Sequence, residues 1–177
     1  MKARLAMPLA LLLLLGAMAV LPATASAATV IQCVGQETVG FSPGLTVTSK
    51  STTLSITIDL ATCTGISDPP VTSLFLQTTA TVAASCVAPL DGLLTTYTPV
   101  YTWSTGDTSA IELSVTGTRA GAVQVITGVG EIIDGLFEGA SAVFVHTLPI
   151  PNVLDCLAPP GVTELSGPAM MTITLPE

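Results

Sequence analysis

The chain has 177 residues, of which 49% are hydrophobic and only 9% are charged, and its formal net charge is −8. This length suits one domain that can bury a core of its own. Twelve acidic residues stand against four Lys and Arg, so the chain has little with which to neutralise phosphates. This excess of acidic residues argues against binding to nucleic acid or anionic lipid surfaces. It is compatible with binding of a cation or a basic partner, or with a role in solubility alone.

The N-terminus has the three parts of a secretory signal peptide. Lys2 and Arg4 give a basic start, the run 5–20 is apolar, and Ala27 ends a small-residue cleavage site. A single membrane-spanning helix is the alternative, since the apolar run is just long enough to cross a bilayer. Pro22 and the small residues after it favour cleavage.

We therefore assign residues 1–27 to a signal peptide and residues 28–177 to one secreted domain. Cleavage removes two of the four basic residues and leaves Lys50 and Arg119 against all twelve acidic residues, a net charge of about −10. No later apolar run has membrane length, so we expect no membrane attachment after cleavage and free release from the cell.

Four cysteines lie in the exported part, where thiols tend to oxidise, and two disulfides are expected from three possible pairings. An antiparallel strand pair that turns near residue 48 would place Cys33 opposite Cys63. We therefore predict a Cys33–Cys63 bridge and, by elimination, a Cys86–Cys156 bridge. The chain has no C-x-x-C spacing and one histidine, so we expect no zinc site and no cofactor.

The exported part is rich in Thr, Val, Ile and Ser, a composition typical of strands. The segment 53–60 alternates polar and apolar residues without a break, as a strand with one wet face does. Turn residues separate about eight such segments, which predicts an all-β fold: a single antiparallel β-sandwich of Ig-like or Greek-key type. The predicted strands are 29–41, 53–60, 74–84, 97–103, 111–116, 122–133, 140–148 and 169–175.

Two places depart from this regular pattern. In the segment 122–133 the apolar parity shifts, which indicates a bulge near Gly128 or Gly130. Residues 148–168 form a Pro-rich connection around Cys156. A connection of this length often carries function, but a disulfide that tethers it across one end of the domain explains it as well.

Catalytic residues are sparse. His146 is the only imidazole, and it shares a strand face with apolar residues, which is more typical of a packed side chain than of a catalytic base. No Gly-x-Ser-x-Gly motif accompanies it. Glu131, Asp134 and Glu138 surround a turn and are candidates for metal binding or for carboxylate chemistry, although solvent-facing carboxylates at a hairpin tip need no ligand.

Tyr97, Tyr101 and Trp103 share parity along one predicted strand. Three aromatic rings on one face would stack well on the apolar side of a sugar, so they are candidate binding residues. The alternative is a core cluster, because a domain with a single Trp gains most from burying it. The core interpretation is the stronger of the two.

Five short segments, each containing Cys, Gly or Pro, form a recognisable set: Cys33–Glu37, Phe41–Thr46, Trp103–Gly106, Gly135–Gly139 and Cys156–Thr163. As a set they resemble a group of small secreted actinobacterial proteins. The resemblance implies a signal peptide, a β-sandwich and two disulfides. It implies no activity and supplies no catalytic residues, because that group has no established function.

The sequence favours a non-enzymatic exported module that binds or supports something outside the cell, with a protein or a glycan as the possible partner. One alternative is a secreted protease inhibitor that presents the disulfide-held segment 156–162. Another is a secreted hydrolase that uses the carboxylates near Asp134.

Overall fold

The computed structural model describes residues 28–86 and 96–176; the expected signal peptide, residues 1–27, lies outside them. In these residues no helix is long and apolar enough to cross a membrane. The residues described form nine strands and one short helix. They are β1 (Val30–Leu45), β2 (Lys50–Thr64), β3 (Leu74–Ala84), β4 (Thr96–Tyr97), β5 (Val100–Trp103), β6 (Thr108–Ala120), β7 (Val123–Gly135), β8 (Ser141–Pro149), α1 (Val153–Leu157) and β9 (Val162–Thr174).

The strands form a single antiparallel sheet that closes on itself. Eight of them follow one another around a barrel in the order β1, β2, β3, β5, β6, β7, β8 and β9, and β9 pairs again with β1. The ninth strand, β4, pairs with Leu113 and Ser114 of β6, on the edge of β6 that also carries β5. The all-β prediction is confirmed. The predicted sandwich of Ig-like or Greek-key type is wrong, because each barrel strand pairs with the next barrel strand and all the strands in the described residues belong to one sheet.

The interior is lined by alternate residues of each strand, as the pleat of a strand dictates. In β2 the predicted alternation is confirmed, since Leu54, Ile58 and Leu60 are buried while Ser55 and Asp59 are exposed. Inward-facing apolar residues of the other strands continue this core around the barrel.

Three strand predictions differ from the structure. The predicted strand 97–103 is two strands, because Pro99 stands between β4 and β5 and has no N–H for a ladder. In β7 the same face points inward from Gln124 to Ile132. The bulge relative to β6 is at Ile133, not near Gly128 or Gly130 as predicted. β9 begins at Val162, so part of the predicted loop 148–168 is strand.

The barrel wall is incomplete between β3 and β6. β5 joins these two strands, but it meets β3 only through Leu74 and Phe75. From Leu76 to Ala84, β3 has ladder pairs with β2 alone within residues 28–86 and 96–176. We call this gap between the two strands the seam.

Both predicted disulfides are present. Cys33 and Cys63 are directly opposite each other on β1 and β2, and their Cα atoms are 3.9 Å apart. Cys86 follows β3 and bonds to Cys156 in α1, which ties the connection between β8 and β9 to one end of the barrel.

Removal of either disulfide should destabilise the domain. The bridges close loops of 30 and 70 residues, so their loss adds chain entropy to the unfolded state. We expect each double variant, Cys33→Ala/Cys63→Ala and Cys86→Ala/Cys156→Ala, to lose about 3 to 4 kcal/mol of unfolding free energy.

Urea unfolding monitored by Trp103 fluorescence measures this loss, with the reduced wild-type protein as the control. A double variant that unfolds at the urea concentration of the oxidised wild type would contradict the stabilising role of that bridge.

Candidate functional site

A cavity of about 280 Å³ lies inside the barrel next to the seam. Its wall is contributed by β1, β2, β3, β4, β6, β7 and β8, and most of its side chains are apolar. The lining residues are Glu37, Val39, Leu54, Ile56, Leu76, Thr78, Ala80, Val82, Tyr97, Val115, Gly117, Ile126 and His146.

The cavity exists because the inward positions beside the seam are small. Thr78, Ala80 and Gly117 face the interior where a leucine or phenylalanine would fill it. Ala80 and Gly117 are nevertheless exposed, although both lie on the inner face. As far as residues 28–86 and 96–176 define its wall, the cavity therefore reaches the surface through the seam between β3 and β6.

Two polar side chains meet in the wall of this cavity. Glu37 of β1 is 3% exposed and His146 of β8 is 7% exposed. The carboxylate oxygen Oε2 of Glu37 contacts Nδ1 of His146. The imidazole also stacks on Phe144, with ring centroids 4.9 Å apart. We call Glu37 and His146 the buried pair.

The strand between them allows this contact. β9 lies between β1 and β8, and its Gly167 stands opposite Glu37. A side chain at this glycine would overlap the carbonyl oxygen of Thr147, so only glycine fits. The ladder between β8 and β9 ends at His146 and Ala169, because the next residue, Pro168, has no N–H to donate.

Burial lowers the pKa of His146 to about 4, because an imidazolium ion loses its hydration in the barrel interior. The imidazole is therefore uncharged at neutral pH. Since Nδ1 is occupied by Glu37, Nε2 is the ring nitrogen left for a bound molecule. The site offers two adjacent hydrogen-bonding groups in a wall that is otherwise mostly apolar, which suits orientation of a small molecule.

The aromatic candidates do not form one platform. Tyr101 is 0% exposed and Trp103 is 2% exposed, both in the core. The indole N–H of Trp103 donates to Ser109 Oγ at 2.8 Å, and its ring meets Phe137 edge to face. Burial raises the pKa of Tyr101. Only Tyr97, which is 36% exposed, lines the cavity.

The carboxylate candidates remain apart from the cavity. Glu131, Asp134 and Glu138 are all exposed. Glu131 stands opposite Glu112 across β6 and β7 and lines a shallow surface groove that the other two candidates do not reach. In residues 28–86 and 96–176, no group of three or more His, Cys, Asp or Glu is placed to hold a metal ion.

The segment 156–162 was the candidate for protease inhibition. Cys156 is buried and belongs to the single turn of α1, whose Asn152 caps it by accepting a hydrogen bond from the Leu154 N–H. Gly161 then turns the chain with a φ of 86°. The segment is thus a helical turn and a bend rather than an extended strand.

Sequence reasoning found His146 but missed Glu37. The signal was present, since Glu37 has the same parity as the buried residues Cys33 and Val39. A carboxylate on an apolar strand face needs a partner, because an unpaired buried charge is costly. The sequence does not show that this partner is His146, since the contact depends on how β1, β9 and β8 pair.

These features define a closed antiparallel barrel with an internal, mostly apolar cavity and one buried acid–imidazole pair. In comparisons with known proteins, the chain matches no protein-family profile, no curated protein and no solved structure.

The pKa of His146 can be read directly, because it is the only histidine in the chain. We expect its imidazole NMR signals to titrate near pH 4 in the folded protein and near 6.5 in urea. Glu37 and Tyr97 are the titratable groups that share its cavity. Since the unfolded chain binds the proton first, this histidine should cost about 3 kcal/mol of stability as the pH falls from 6.5 to 4.

The urea-unfolded protein is the control for the unperturbed imidazole. A folded-state midpoint at or above 6.5 would show that His146 is either hydrated or held as an imidazolium ion.

Proposed function

We propose that this protein is an exported, non-enzymatic binding module that takes a small, mostly apolar molecule into its barrel. The cavity of about 280 Å³ beside the seam carries the proposal. Eight-stranded barrels are just wide enough to be filled by side chains or to hold one small ligand. Here the inner positions at Thr78, Ala80 and Gly117 leave that space unfilled.

The size and chemistry of the cavity support a ligand rather than a packing defect. A dry cavity of ~150 Å³ already accommodates benzene, so this one suits a molecule of roughly one or two rings. An unfilled cavity of this size costs stability, because its apolar lining side chains lack the contacts that neighbouring side chains would give them. A bound apolar molecule would restore those contacts, and the buried pair would orient it.

Export is part of the same proposal. The basic, apolar and small-residue pattern of residues 1–27 supports it, and two disulfides fit an oxidising environment. A relationship to the group of small secreted actinobacterial proteins is likewise a proposal, based on the resemblance of the five short sequence segments. The partner proposed here is a small molecule inside the barrel, in place of the protein or glycan expected from the sequence.

A bulky residue at the mouth of the cavity should block binding. Ala80 faces the cavity and is exposed, so Ala80→Trp should fill the mouth without disturbing the core. We expect naphthalene, a two-ring probe, to bind the wild type in isothermal titration calorimetry and to bind Ala80→Trp at least tenfold more weakly.

Ala83→Trp is the matched control, because Ala83 is exposed on the same strand but has the outward parity. It should bind the probe like the wild type. Equal loss of binding in both variants, or no binding by the wild type, would overturn the proposed site.

A further inference from the structure

We infer that the molecule held in this barrel carries a hydroxyl group, which hydrogen-bonds to the buried pair while the apolar remainder fills the cavity. The inference rests on the proposed function and narrows the class of ligand. Its basis is the contact between Glu37 and His146 in a wall that is otherwise mostly apolar.

The hydrogen-bonding capacity of the buried pair selects the group. Oε2 of Glu37 and Nδ1 of His146 are in contact, and a hydrogen bond between them needs one proton, held by one atom or the other. If Nδ1 holds this proton, Nε2 is an acceptor and needs a donor from the ligand. If the carboxyl group holds it, the neutral imidazole has its hydrogen on Nε2 and needs an acceptor. A hydroxyl group donates and accepts, so it satisfies either arrangement.

Other polar groups satisfy the pair less well. A carboxylate only accepts hydrogen bonds, and it would be buried beside the Glu37 carboxyl group. An ammonium group only donates, and transfer into an apolar cavity would remove its hydration. A hydrocarbon leaves the pair without a partner, and a buried polar group without a partner is costly. The hydroxyl group is therefore the best match among these groups.

The position of the pair fixes the shape of the ligand. Glu37 and His146 lie on β1 and β8, whereas the seam lies between β3 and β6, so the pair and the mouth are on different sides of the barrel. A ligand that uses both has its hydroxyl group at the inner end and its apolar body toward Ala80 and Tyr97. A compact alcohol or phenol of one or two rings has this form.

Isothermal titration calorimetry with four two-ring compounds tests the inference. 2-Naphthol donates and accepts, 2-methoxynaphthalene only accepts, naphthalene does neither, and 2-naphthoate is an anion. We expect 2-naphthol to bind about three- to tenfold more tightly than the ether, the gain of about one net hydrogen bond. The carboxylate should bind most weakly.

The double variant Glu37→Leu/His146→Phe shows whether the buried pair causes the preference. Replacement of both partners by apolar groups of similar shape removes the pair without leaving either group unsatisfied. In this variant naphthalene should bind more tightly than it binds the wild type, and the advantage of 2-naphthol over the ether should disappear.

The outcomes separate the two proposals. If none of the four compounds binds, the cavity is not a ligand site and the proposed function fails. If 2-naphthol binds no more tightly than the ether or naphthalene, or if its preference persists in the double variant, the cavity is a ligand site but the hydroxyl inference is wrong. Should the double variant not fold, the series on the wild type still decides.

Discussion

Closure of the sheet is the constraint on which the rest of this structure depends. β1, the first strand, lies between β2 and β9, the last strand, so the two ends of the domain are held in one ladder. A closed sheet has few free edges and a defined interior. The core, the cavity and the buried pair all lie in that interior, and none of them would exist in an open sheet.

Closure also explains why a carboxylate and an imidazole can share an otherwise apolar wall. Burial of either group alone would cost stability, whereas in this fold each of the two groups has the other as a polar neighbour. Gly167 has no side chain to hold β9 away from Thr147, and the β8–β9 ladder ends before Pro168. Both features allow Glu37 and His146 to come into contact. Two residues that break sheet regularity thus create the most polar point of the cavity.

Local features of the chain were predictable from the sequence, whereas long-range ones were not. The alternation in β2 and the pairing of Cys33 with Cys63 follow from the period of a strand and one hairpin. The same alternation suits a sandwich and a barrel equally, because both bury one face. The ladder between β9 and β1 joins residues more than a hundred positions apart, and no local pattern specifies it.

For the same reason, the sequence could indicate the individual residues of the site but not the contact between them. His146 could be placed on an apolar face from its own strand, and Glu37 could have been placed in the same way. Their contact depends on the order of three strands, which the sequence does not state. The cavity could not be predicted either. Nothing in the sequence distinguishes Ala80 and Gly117 from other small strand residues, and only the fold places them beside the seam.

The seam gives the barrel a property that a fully paired wall lacks. To reach the interior of a closed sheet, a molecule must either use an open end or separate hydrogen-bonded strands. Along β3 beyond Phe75 the described residues form no ladder toward β6, so passage there breaks no backbone hydrogen bond between these strands. Under the proposed function, a ligand could therefore exchange through the seam without unfolding of the domain, and the disulfides would rigidify the domain without trapping that ligand.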